Sequence, residues 1–146
     1  MGDVVIKSTT HHYESQPRGI KRWLFTTNHK DIGALYLFFA LVMFFVGGAM
    51  AMLIRAELYS PGVQYIEPQM FNSVTTLHAL IMVFGVVMPG TVGFANWLLP
   101  IMIGAPNMAL PKMNILSFWI LPVAFALLLL APLLPGAGAT GARSLY

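Results

Sequence analysis

No cysteine occurs anywhere in the chain, so disulfides, thiolate metal sites and thioether attachment of a haem are all excluded. Charge is nearly as scarce. Asp, Glu, Lys and Arg make up 9% of the 146 residues, against about a quarter in soluble domains. Between Glu67 and Lys112 there is none at all. The net charge of +3 is small, and five of the eight basic residues (Lys7, Arg18, Lys21, Arg22, Lys30) precede the first apolar run. That distribution argues against nucleic-acid binding and reads as an anchor on the cytoplasmic side of a bilayer. Residues 1–20 form a polar tail with no apolar stretch ahead of a small-residue cleavage site, so the tail is not a secretory signal. His11 and His12 lie in it and read as a solvated pair, because nothing nearby completes a coordination shell. No internal repeat is visible.

What the chain has in abundance is apolar length. With 58% hydrophobic residues, it is an integral membrane protein of the all-α class. Three spans are expected. The first is Ile32 to Ile54, 23 residues with no charge between Asp31 and Arg55. As a helix it would be about 34 Å long, enough for the hydrocarbon core. The second runs from near Phe71 to near Ile103. The third runs from about Asn114 to Leu134, closed by Pro135 and Gly136. Pro100 and the Gly104-Ala105-Pro106 cluster separate the last two. Three crossings put the two ends of the chain on opposite sides. With Lys112 in the second loop, one face collects six basic residues and the other only Arg55 and Arg143. This asymmetry puts the N-terminus inside.

Within the spans, Gly47, Gly48, Ala49 and Ala51 near the outer end of the first, and Gly85, Gly90 and Gly93 in the second, allow close helix approach. Pro89 is expected to kink the second span by removing a backbone hydrogen bond in mid-membrane. The aromatics Phe38, Phe39, Phe44, Phe45, Phe84, Phe118 and Trp119 read as lipid-facing or packing groups.

One residue stands apart. His78 sits in the long uncharged run, where an ionisable side chain is costly and normally faces a partner inside the bundle. Two readings are open: it ligates a metal or haem iron, or it donates a structural hydrogen bond. Hydroxyls among Ser73 to Thr76 are candidates to serve its second nitrogen. The chain holds no second intramembrane histidine. Met82, one turn away on the same face, cannot reach the opposite side of a ring that His78 ligates. A six-coordinate haem would need more protein.

The segment RWLFTTNHKDIGALYL at 22–37 resembles the opening of catalytic subunit I of the haem–copper oxidases, of the cytochrome c oxidase type. MLIRAEL at 52–58, HALIMVFGVVMPGTVGFANWLLPIMIGAP at 78–106 and MNILSFWILP at 113–122 follow in that family's order. The resemblance covers about residues 20 to 141 and corresponds to the first three helices of a twelve-helix fold. It implies a partial subunit I domain over 21–146. It implies that His78 ligates low-spin haem a, with the second ligand on a later helix, and that Arg55 hydrogen-bonds the haem a formyl group, a task suited to a planar, permanently charged fork. Glu57, Gly62 and Gln64 resemble the outer calcium or sodium site of some bacterial members, with oxygen donors apt for a hard cation. Copper and haem a3 belong to later helices, so no catalytic ligand is expected in this stretch.

The resemblance is broken in the second loop. The family's APDM motif is APNM here, placing Asn107 where an aspartate opens a proton pathway. Asn96 and Asn114 match polar residues farther along that route, whereas Lys112 and Ile115 replace an arginine and an asparagine. After the third span TGARSLY, with Ala142, stands in place of TGWTVY. An amide cannot ionise, so Asn107 removes a charge that would concentrate protons at the entrance. Quinol-oxidising members carry an arginine and an aspartate where this chain has Val46 and Met50, which favours cytochrome c as electron source.

The resemblance therefore implies a bacterial inner-membrane, multi-pass segment with its N-terminus cytoplasmic. It would work with the remainder of subunit I, with oxidase subunits II and III and with cytochrome c, carrying electrons towards oxygen with proton translocation. By itself it lacks the haem–copper ligands. Two alternatives remain, a non-catalytic three-helix scaffold or assembly protein and a truncated fragment without function. The end at Tyr146, where the family continues into its next loop, leads us to expect truncation or a split gene.

Overall fold

The computed structural model describes residues 20–106 and 108–133. Among these residues there is no strand. A short helix α1 (Ile20–Phe25) leads into α2 (His29–Glu57). Next come α3 (Pro68–Leu80), a π-helical stretch Ile81–Val87 and α4 (Met88–Met102), which together form one continuous rod. Helix α5 (Pro111–Leu130) ends in a 3₁₀ turn, Ala131–Leu133. Three rods are long and apolar enough to cross a membrane: His29–Glu57, Pro68–Met102 and Pro111–Leu130. They coincide with the three expected spans, each beginning three residues earlier. The second, at 35 residues, is about 52 Å long and overshoots the hydrocarbon core.

The helix ends follow local chemistry. Asn28 caps α2, its Oδ1 accepting from Lys30 N–H at 3.1 Å. Thr26 Oγ1 accepts from Asn28 N–H at 3.2 Å and donates to Asp31 at 3.1 Å. Asp31 in the first turn and Arg55 in the last suit the helix dipole. Prolines 68 and 111 open α3 and α5, where a missing N–H costs nothing. Helix α4 closes in a Schellman arrangement. Ala105 N–H reaches Pro100 C=O at 2.9 Å, Gly104 N–H reaches Ile101 C=O at 3.3 Å, and Gly104 takes a φ of 69°.

Span two departs from expectation at its middle. Instead of a simple proline kink, the seven residues before Met88 form π-helix. An α-helix through Pro89 would orphan the Gly85 carbonyl and press the pyrrolidine ring against it. The wider turn relieves that crowding, with Met88 N–H donating to the Val83 carbonyl, five residues back. The π stretch also straightens a stripe. Leu77, Ile81, Gly85, Pro89 and Gly93 are all buried and recur every four residues. In unbroken α-helix such a repeat drifts about 40° per step; underwinding keeps it aimed at the other spans.

The core is apolar and aromatic: Ile32, Tyr36, Phe39 and Met43 from α2, Ile81 from the π stretch, and Phe118 and Phe125 from α5. Tyr36 meets Phe118 edge-on with centroids 5.2 Å apart, and Phe39 meets Phe125 at 5.5 Å, geometry that favours ring pairs beyond area burial. Phe38, Phe44, Phe45 and Phe84 are exposed. Three of the expected small-residue contacts are real, at Gly93, Gly85 and Gly47. A Cβ on Gly93 would lie 2.9 Å from Leu37 Cγ, and one on Gly85 would lie 2.9 Å from Phe125 Cε1. Gly33, opposite Gly93, completes the first contact, a Cβ there falling 2.9 Å from the Gly93 carbonyl oxygen. Gly48 faces open space among the described residues, and a Cβ on Gly90 would meet only Ala40 of α2, at the edge of ordinary contact at 4.0 Å.

Candidate functional site

His78, half-buried in the last turn of α3, points at α2. Its Nδ1 lies 2.9 Å from the carbonyl oxygen of Gly47. A carbonyl only accepts, so Nδ1 carries the proton and donates, and Nε2 is left with a free lone pair. Histidine ligands usually have this arrangement, the remote nitrogen being held by a carbonyl or carboxylate so that tautomer and ring plane are set. The suggestion that neighbouring hydroxyls serve the second nitrogen is overturned. Ser73, Thr75 and Thr76 turn back to their own helix, donating to the carbonyls of Gln69, Phe71 and Asn72 at 3.2, 2.9 and 2.9 Å. Short hydroxyl side chains on a helix find the i−4 carbonyl first.

Arg55 is exposed near the end of α2 and borders a hollow of about 460 Å³ with Ala51, Ile54, Leu58 and Tyr59. It follows Gly47 by eight residues, about 12 Å along the axis and some 80° around it. Gly47, Ala51 and Arg55 thus track along one side of α2, the side that meets His78 at one end and carries open space at the other.

Beyond Arg55 the loop folds back on Glu57. This carboxylate is 7% exposed. Oε1 accepts from Gln64 N–H at 2.9 Å, and Oε2 accepts from Tyr65 N–H at 2.7 Å and Ile66 N–H at 3.2 Å. Such charge-assisted bonds are the strong ones, and three of them pin residues 64–66 to the helix end. Gln64 Nε2 donates to Pro61 C=O at 3.3 Å, and Gly62 makes the turn with a φ of 100°. Glu57, Gly62 and Gln64 therefore share one loop, and what holds Glu57 to it is backbone N–H groups. No cluster of three or more His, Asp or Glu occurs among the described residues.

A second polar group lies at the opposite end of α2. Asn96, 3% exposed on α4, accepts at Oδ1 from Asn114 Nδ2 of α5 at 2.8 Å, with a longer reciprocal contact of 3.5 Å. Asn114 Nδ2 also approaches Met108 Sδ at 3.0 Å. The backbone carbonyl of Asn96 accepts from Nδ1 of His29, itself 7% exposed, at 3.2 Å. Two of the three sequence-marked asparagines are thus brought together; Asn107 lies outside the described residues, as do the polar tail and Ala142. His29 was not singled out from sequence. Its signal was a histidine one residue inside the helix start, within the TTNHKD segment.

The π stretch matters to both groups. Eighteen residues separate His78 from Asn96, five full α-turns, so an unbroken helix would aim both side chains the same way. Underwinding by roughly one residue's rotation, about 100°, turns Asn96 off the α2 side and onto Asn114 of α5.

Residues 31–146 match the family described as Cytochrome C and Quinol oxidase polypeptide I. The chain is similar to Cytochrome c oxidase subunit 1 of Corynebacterium diphtheriae, 43% identical over 131 residues, which is 88% of this chain and 23% of that protein. It is 41% identical over 131 residues to the proteins of the same name from Corynebacterium efficiens and Corynebacterium glutamicum, covering 88% of this chain and 23% and 22% of theirs. The chain thus spans less than a quarter of the length of these relatives.

Proposed function

The chain belongs to the cytochrome c and quinol oxidase polypeptide I family, and from that premise we propose that it is the haem a-binding, N-terminal part of a cytochrome c oxidase catalytic subunit. The observation that carries the proposal is the Gly47 carbonyl on His78 Nδ1, which leaves Nε2 as an iron-type donor. The residues fit the group: a neutral imidazole with its tautomer set, followed along the same side of α2 by a guanidinium beside open space. His78 would hold the haem iron through Nε2, and Arg55 would donate a hydrogen bond to the haem's formyl group. When bound, the haem supplies one-electron transfer towards the oxygen-reducing centre, whose ligands later helices provide. The polypeptide's own part is to hold the imidazole, exclude water with its apolar core and present the arginine.

On this reading the Asn96–Asn114 pair lies on a proton route opening at Asn107. The bundle sits in a bacterial inner membrane with the His29 end of α2 cytoplasmic, and its partners are the remainder of subunit I, subunits II and III and cytochrome c. At the outer end, Gln64 Oε1, the Gly62 carbonyl and the last lone pair of Glu57 are the donors for calcium or sodium. The test of the central proposal is His78→Leu in the assembled oxidase, with the reduced-minus-oxidised spectrum recorded. Loss of the low-spin haem a band is the expected result; an unchanged band would mean that the histidine is only structural.

A further inference from the structure

The carbonyl of Gly47 reaches His78 at a place where α2 and the second span nearly touch. A Cβ on Gly47 would lie 2.7 Å from Met82 Sδ, 3.4 Å from Met82 Cγ and 3.3 Å from Ile81 Cγ2. Met82 follows His78 by one helical turn, so imidazole and thioether descend on Gly47 from the same face. The imidazole takes the carbonyl oxygen, and the thioether fills the notch left by the missing side chain. Resting on the reading of His78 as the haem ligand, we propose that Gly47 is a positioning residue for His78: its missing side chain, whose place Met82 fills, lets the α2 carbonyl reach Nδ1 and so sets the electron-donating strength of the ring. The Nδ1–H bond makes the ring a more basic ligand, which favours the oxidised iron. That bond has its length because the α2 backbone comes close enough, and the backbone comes close because the notch holds a flexible thioether and no methyl.

A methyl on Gly47 must displace Met82, and where the thioether is trapped between helices the backbones separate instead. The carbonyl then withdraws from Nδ1, the ring becomes a weaker donor and the haem a potential rises. Emptying the notch from the other side makes room for that methyl. Gly47→Ala, Met82→Ala and the double variant are compared in the assembled oxidase by redox titration of the low-spin haem band, by its position and by haem per complex. The expected result is full haem content with a raised potential and a displaced band for Gly47→Ala, parental values for Met82→Ala, and parental values for the double variant. The double variant also serves if Gly47→Ala alone fails to assemble, since it must then assemble and titrate as the parent. Parental behaviour of Gly47→Ala, or a double variant that titrates or fails as Gly47→Ala does, overturns the proposal. Failure of the underlying reading is distinct: it appears as an unaltered haem a band in His78→Leu.

Discussion

Replacing Asn96 by leucine tests whether the polar pair between α4 and α5 is a stabilising contact. Leucine keeps asparagine's branched four-atom outline with bulkier methyl ends, so the buried site is refilled rather than emptied. What is lost is the 2.8 Å bond from Asn114 Nδ2 to Asn96 Oδ1 and the weaker 3.5 Å return contact. The bond from His29 survives, because it ends on the Asn96 backbone carbonyl. Helix-to-helix side-chain bonds in membranes contribute about 0.6 kcal/mol on average and at most about 1.7. At 3.5 Å the return contact adds little, and the Met108 sulfur is only a weak acceptor for the stranded Asn114 amide. The expected coupling between Asn96→Leu and Asn114→Leu is therefore about 0.6–1.7 kcal/mol, a factor of roughly 3 to 18 in an equilibrium constant. Titrating the four variants from mild into denaturing micelles, with tryptophan fluorescence as the readout, closes the cycle. Additive single variants, with coupling near zero, would refute the assignment of this pair as a contact holding α4 to α5.

Arg55→Met should keep the low-spin haem a band of the assembled oxidase but displace it, since loss of a hydrogen bond to the formyl retunes the ring without removing an iron ligand; disappearance of the band would make Arg55 structural. Glu57→Ala should strip protection from the Gln64, Tyr65 and Ile66 amides in hydrogen exchange, while the amides of the α2 core keep theirs. Uniform loss along α2 would show that Glu57 supports the helix rather than the loop. Asn107→Asp should raise both turnover and proton ejection in vesicles, because a carboxylate concentrates protons at the entrance where an amide cannot; no change in either would put the entrance elsewhere.

The three spans were legible because the physics that makes them is one-dimensional: a hydrocarbon core of fixed thickness requires a run of apolar residues, and charges at Asp31, Arg55, Glu67 and Lys112 mark where each run ends. Motif resemblance marked His78, Arg55, Asn96 and Asn114 as candidates, polarity in an apolar run singled out His78 independently, and the fold brings the two asparagines together. Partners were harder. Gly47 receives the His78 proton through a backbone carbonyl, and no residue type announces a carbonyl. His29 carries no mark of its own in the sequence, and only the fold lays α4 across it. The π stretch did leave a trace, the four-residue repeat of Leu77, Ile81, Gly85, Pro89 and Gly93, but a repeat midway between helical periods is noticed only when the buried face is known.

Side-chain polarity in these spans sorts into two kinds, and the division says which groups shape the bundle. Backbone and side-chain polar groups at membrane depth must be satisfied internally, since no water is at hand. Thr75, Thr76, Thr91 and Ser117 do so within one helix, bonding carbonyls one turn back at 2.9, 2.9, 2.8 and 2.9 Å. These bonds would form in an isolated span and ask nothing of a neighbour. His29, His78, Asn96, Asn114 and Trp119 instead reach across: His29 to α4, His78 to α2, the asparagines to each other, and Trp119 Nε1 to the Leu24 carbonyl at 3.1 Å. Each of these groups would be orphaned if its span stood alone, so each specifies an arrangement of the helices rather than merely tolerating one. Both histidines spend Nδ1 on a carbonyl of another rod, and each therefore fixes a ring plane and leaves Nε2 for other use. At His78 that use is the haem ligation we propose. At His29 the bond ends on the backbone of Asn96, beside the asparagine pair. The cross-span bonds thus lock the packing and orient both rings, one of them the ring on which the proposed haem site depends.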